Sequence, residues 1–368
     1  MAKAKKAKSI LTDSSWSFLK NYINTPSPVG FETSGQKVWL EYLKPFVDSH
    51  FTDPYGTAVG VVNPSAPFKV VIEAHADEIS WFVNYISADG LIYLKRNGGV
   101  DHQIAPAKRV LIHGKKGAVK AVFGWPAIHT RLSNNENKEP QPKPENLFLD
   151  CGARNKKEIE ALGIHIGAVV TYEEGYEELA YDFLIGRAFD NRIGGFMIAE
   201  VARLLKANRK KLPYSLYVVN AVQEEIGLRG AEMIARRIKP NVAIITDVTH
   251  DTTTPMMNKI MDGEIVCGKG PSLTFGPAVH NKLLDVVQAA ADKNKITVQN
   301  RAVSRSTGTD TDSFAYANDG CPSVLISIPL RYMHTTVEML HKDDVENTIK
   351  LMYETLLALT PKTNLSYF

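Results

Sequence analysis

Hydrophobic positions along the chain gather into short β-branched runs separated by longer amphipathic stretches. The runs Val59–Val62, Lys69–Glu73, Leu216–Val219, Val242–Ile245 and Val324–Ile328 are each bounded by turn residues, the pattern of strands buried on both faces. Between several of them, Ile193–Lys206, Gly230–Arg237 and Lys282–Lys293 place apolar residues at helical spacing. A helix over about Ser14–Tyr22 precedes the Pro26 and Pro28 loop, and a second helix carries Val38, Tyr42 and Phe46. Strands alternating with helices predict an α/β fold, with a mixed, mainly parallel sheet sandwiched by helices.

From Trp81 to about Tyr181 the texture changes. Leu91–Leu94, Val110–Ile112, Ala118–Phe123 and Ala168–Tyr172 are short alternating runs with glycine at the turns, which predicts a small β-barrel or sandwich inserted into the α/β body. The expected division is residues 1–80 with 182–368 as one discontinuous domain and 81–181 as the insert. Within the insert, the polar, proline-rich segment Arg131–Pro144 reads as an exposed loop, with a substrate lid as the alternative.

Composition narrows the setting. The chain has 368 residues, 44% hydrophobic and 23% charged, ordinary values for a globular protein. Its net charge of +3 owes part to the first eight residues; a solvated basic tail explains that, and no nucleic-acid partner is expected. Cys151, Cys267 and Cys321 are few, odd in number and widely spaced, which suits a reducing compartment. No apolar run has the length of a membrane span, and polar Ser9–Ser15 follows the basic tail where a secretory signal would be apolar. The expected location is the cytoplasm.

The chemistry lies at the ends of the strands. Val70–Ile72 runs into Glu73-Ala-His75-Ala-Asp77-Glu78, Leu216–Val222 into Gln223-Glu224-Glu225, and Ile244–Ile245 into Thr246-Asp247. In open α/β sheets ligands bind outside the carboxyl ends of the strands, so these side chains would meet on one rim. Each has an ordinary reading too: His-x-Asp as a salt bridge, Glu-Glu before glycine as a solvated loop, Asp247 as a helix cap. Asp190 stands before the helix Ile193–Lys206, as a cap or as a carboxylate between two cations, and His334 follows Val324–Ile328.

Taken together, His75-Ala-Asp-Glu78, Phe189-Asp-Asn-Arg192, Gln223–Ala231, Asp247-Val-Thr-His250 and Arg331–Glu338 resemble the M42 family of metallo-aminopeptidases. That group includes glutamyl and tetrahedral aminopeptidases and proteins once labelled endoglucanases. The resemblance implies a zinc-peptidase-like fold and removal of N-terminal residues from peptides by a hydroxide bridging two metal ions. Asp190 would bridge two divalent ions per chain, zinc or cobalt; His75 and Asp247 would complete one site, Glu225 and His334 the other. Glu224 would be general base and then acid, and Asp77 would orient His75 through a hydrogen bond. Imidazole with carboxylate independently suits zinc-like ions. The resemblance also implies peptide substrates and a homo-oligomer, from a dimer to a tetrahedral dodecamer, assembled through the insert.

The chain departs from the family's usual motif at Ala76 and Ser80, and Ser306–Ser313 carries an extra acid, Asp312. Asp310 or Asp312 would then favour basic substrate residues, or would cap the helix near Phe314. A two-metal deacylase or carboxypeptidase-type amidohydrolase is the nearest alternative function. A two-carboxylate glycosidase is the more distant one, since it needs no such histidines.

Overall fold

A computed structural model describes residues 9–131 and 141–368. The basic tail and residues 132–140 of the polar insert segment lie outside them.

Seventeen strands form among the described residues, in chain order. They are β1 (Ser49–Thr52), β2 (Ala58–Val62), β3 (Lys69–His75), β4 (Ser80–Ile86), β5 (Ile92–Asn97), β6 (Arg109–Gly114), β7 (Gly117–Phe123), β8 (Phe148–Asp150) and β9 (Val169–Tyr172), then β10 (Glu177–Glu178), β11 (Phe183–Gly186), β12 (Ser215–Ala221), β13 (Val242–His250), β14 (Ser272–Phe275), β15 (Gln299–Ala302), β16 (Ser323–Leu330) and β17 (Glu338–His341). Eight of them make one sheet in the order β1-β2-β12-β3-β13-β16-β14-β15. Its four central strands β12, β3, β13 and β16 run parallel, and β1, β2 and β14 bring in antiparallel pairings. The sheet is therefore mixed, and its parallel centre coincides with the runs the hydrophobic pattern marks.

That centre is buried throughout. Val70, Val71, Ile72, Val218, Val219, Ile244, Ile245 and Ile326 are essentially inaccessible, as strands covered by helices on both faces must be. The helix Phe189–Ala207 packs against β3, β12 and β13, and helices Asp13–Asn24, Thr33–Leu43 and Lys342–Ala358 pack against it in turn. Helices Arg229–Ile238 and Thr311–Ala315 cover the other face. The long helix comes this close because Gly194 lacks a side chain: a Cβ there would stand 2.8 Å from Ala74 Cβ.

Directly after β3 the chain leaves the sheet and forms a closed six-stranded barrel, ordered β4-β5-β8-β7-β6-β9, before β10 and β11 lead back. All its pairings are antiparallel. Trp81, Val83, Ile92, Val110, Ile112, Phe123, Leu149 and Val170 fill its interior as a cluster separate from the main core. Closure leaves no unpaired sheet edge, which is how small antiparallel sheets avoid exposed ladders. No helix among the described residues is long and apolar enough to cross a membrane.

Candidate metal centre

The carboxyl ends of the four central strands share one rim. His75 is the last residue of β3. Beyond β12 the chain turns sharply, with Gln223 and Leu228 in the left-handed region and Gly227 at φ 115°, and this presents Glu224 and Glu225 together. Asp247 lies inside β13, which continues to His250 rather than stopping near Ile245. His334 follows β16 at φ 60°, and Asp190 occupies the first turn of the helix Phe189–Ala207.

Among the described residues the side chains converge as three overlapping groups, His75–Asp190–Asp247, Asp190–Glu225–His334 and His75–Glu224–Glu225. His75 Nε2 lies 3.2 Å from Asp190 Oδ1 and 3.9 Å from Asp247 Oδ1. His334 Nε2 lies 3.3 Å from Asp190 Oδ2 and 3.2 Å from Glu225 Oε1. Each Asp190 oxygen thus serves a different histidine. Glu224 Oε2 stands 3.8 Å from His75 Nε2, as near as Asp247 does. Donor atoms at ordinary bond lengths from one tetrahedral zinc-like ion lie about 3.3 Å apart, close to three of these five separations, while the His75–Asp247 and His75–Glu224 pairs are wider. A shared aspartate with one imidazole and one further carboxylate on each side is a donor set that fits two such cations.

Electrostatics gives the same answer. Burial pushes Glu224 up to about 10 and raises Asp247 and Glu225 as well. Burial alone would raise Asp190 too, but hydrogen bonds from His334 and His75 bring it well below the carboxylate range. Burial pulls His334 down, yet its bonds to Asp190 and Glu225 lift it to about 11. The polypeptide alone therefore balances crowded acids by holding protons. Dications between the side chains would reverse that, leaving the carboxylates ionised and the imidazoles neutral.

Three supports hold the cluster, and the sequence shows the main duty of none of them. Asp77, fully buried, accepts the Glu224 and Glu225 amides at 3.0 and 3.1 Å, while its nearer oxygen is 3.5 Å from His75 Nδ1. Its stronger grip is on the Glu-Glu turn rather than on the imidazole. Glu338 accepts the amide of Asp190 at 3.0 Å and that of His334 at 2.9 Å. His334 Nδ1 lies 3.1 Å from the carbonyl of Gly99, in the barrel's β5–β6 connection. A Cβ on Gly99 would meet the His334 ring at 2.8 Å. The motif containing Glu338 hints at its importance, but nothing in the sequence pairs Gly99 with His334.

The two acids of the Ser306–Ser313 segment part company. Asp310 is 1% exposed and stands in the interior facing the buried Glu73, with burial raising both groups. It is not on the pocket wall. Asp312 does line the pocket beside the cluster, along with His250, Arg301 and Met333. Glu78 is buried among Arg187, Arg192 and the Ser27 amide and belongs to none of the donor groups.

Comparison with known proteins follows the same outline. The profile of the family described as M42 glutamyl aminopeptidase matches residues 56–351. A lysyl aminopeptidase of Pyrococcus furiosus is 32% identical over 349 residues, covering 94% of this chain and 98% of that one. The TET aminopeptidase of a marine-sediment Thaumarchaeota archaeon superposes with a TM-score of 0.90 at 28% identity, covering 95% and 98% of the two chains. The TET1 peptidase of Pyrococcus horikoshii, which can assemble into a tetrahedron or a large octahedral shell, gives 0.81 at 25% identity, covering 92% and 98%.

Proposed function

The chain belongs to the M42 aminopeptidase family, and on that premise we propose that the rim cluster is its catalytic centre, holding two divalent ions. The protein is an aminopeptidase, a hydrolase of peptide bonds. The observation that supports the assignment best is the split of Asp190, one oxygen toward His75 and the other toward His334. Asp190 bridges, His75 and Asp247 complete one site, and Glu225 and His334 complete the other. Imidazole with carboxylate favours zinc or cobalt over the all-oxygen preference of magnesium or calcium.

Bound there, the ions supply Lewis acidity toward the scissile carbonyl and the attacking water. Glu224, beside His75 and next in the chain to Glu225, accepts a proton from that water and returns it to the departing amine. Asp77 keeps Glu224 and Glu225 in register through their amides, so base and ligand keep a fixed offset. A glycosidase reading leaves the two histidines without a task, and an amidohydrolase acting on blocked substrates has no observation in its favour.

Residues 1–80 and 182–368 form the catalytic domain and 81–181 the inserted barrel, through which copies of the chain associate; the shells formed by the Pyrococcus horikoshii relative support that association. The three cysteines are unpaired, in keeping with a cytoplasmic enzyme. Hydrolysis of aminoacyl-p-nitroanilides by metal-stripped protein, with and without added zinc or cobalt, tests the function. Metal-restored cleavage of free but not N-acetylated substrates is expected; cleavage of acetylated ones would point to the deacylase instead.

A further inference from the structure

The pocket beside the cluster has a volume of about 580 Å³. Apart from the proposed ligands and Glu224, its ionisable lining is His250, Arg301 and Asp312. Asp312 already has work inside its own loop: its oxygens accept the Thr307 amide at 3.1 and 3.0 Å, and one also accepts the Gly308 amide at 3.2 Å. Arg301 differs. This half-buried guanidinium donates through Nη1 to Thr249 Oγ1 at 2.7 Å, and no carboxylate of the described residues forms an ion pair with it. Four of its five N–H donors have no such bond. Burial works against its charge, and Asp262, which favours it, stands beyond salt-bridge distance, as for a cation drawn from water with no carboxylate in contact.

Position adds the second argument. Thr249 is two residues past Asp247 on β13, so the two side chains share a face about 7 Å apart along the strand. The guanidinium is therefore held at roughly one side-chain length from the centre where the substrate's N-terminal residue must sit. A planar fork of donors at that reach matches a carboxylate.

We propose that Arg301 is the substrate-carboxylate receptor of this enzyme and selects peptides whose N-terminal residue is glutamate or aspartate. The inference rests on the aminopeptidase reading and names its substrate class. It runs against the basic preference that Asp310 and Asp312 suggest in the sequence, because Asp310 is off the pocket wall and Asp312 is engaged by loop amides. The other carboxylate a peptide offers is its C-terminus, and the test separates the two.

The metal-loaded full-length enzyme is assayed on Glu-, Gln-, Lys- and Leu-p-nitroanilide, and on Leu-Leu against Leu-Leu-amide. The wild type should favour Glu over its neutral isostere Gln, and Arg301→Gln should lower that kcat/KM ratio by about tenfold to a hundredfold. Arg301→Glu should shift preference toward Lys, a gain that a misfolded variant cannot produce. If Arg301→Gln instead removes only a preference for Leu-Leu over its amide, the acidic-residue assignment is overturned and the receptor reads the C-terminus. Wild-type preference for Lys, or a Glu-to-Gln ratio indifferent to Arg301, overturns the proposal while Leu cleavage leaves the aminopeptidase standing. Failure to cleave any anilide overturns both.

Discussion

Strands β3, β12, β13 and β16 send side chains to the rim, whereas the barrel sends one backbone carbonyl, that of Gly99. The sheet side's contribution depends on residue identity: the proposed ligands lie on its strands, in the turns just beyond them and, for Asp190, in the first turn of the helix packed on it. The barrel's contribution depends on shape, since any residue has a carbonyl but only glycine leaves room for the His334 ring at that distance. Chemistry and support are therefore written in different alphabets. A mutation scan confined to acids and histidines would find the first and miss the second.

The largest expected effect falls on the sheet side of this contrast. Asp190→Ala should lose both ions together and with them essentially all turnover; elemental analysis showing two ions retained would break the bridge. Glu224→Gln should keep both ions and lower kcat by about 10²–10⁴-fold; a near-normal rate would remove Glu224 from proton transfer. On the barrel side, Gly99→Ala should weaken the Glu225–His334 site by about 10–100-fold in metal affinity, the usual cost of disturbing a ligand's outer partner. Equal loss at both sites in a metal titration would show that the barrel acts on the whole cluster. Phe123→Ala, in the barrel core, should cost about 3–5 kcal/mol of stability yet leave kcat nearly unchanged well below the melting transition. A matching fall in kcat would erase the distinction between the two regions.

How legible the molecule was in its sequence follows the same division. The β-branched runs mark β2, β3, β12, β13 and β16 because burial on both faces demands such residues. The short strand β14 and the edge strand β15, four residues each, leave no comparable trace, so Arg301 on β15 goes unnoticed. His75, Glu225, Asp247 and His334 are visible as chemically distinctive residues at or after strand ends and Asp190 as one at a helix start, and the structure brings all five together. Asp77 and Glu338 are visible as acids, but what they hold is amide hydrogen of residues up to 148 positions away, and an amide carries no residue-specific signature. Asp310 misleads for a related reason: its position beside the motif suggests a pocket wall, while packing turns it inward toward Glu73.

Glu338 has a consequence beyond support. One rigid carboxylate grips the backbone of Asp190 with one oxygen and that of His334 with the other, so neither residue can be displaced without the other feeling it. Ordering one half of the centre thereby prepays the entropy of ordering the second. Such linkage is reciprocal, and ion uptake should be cooperative, with half-loaded protein scarce at equilibrium.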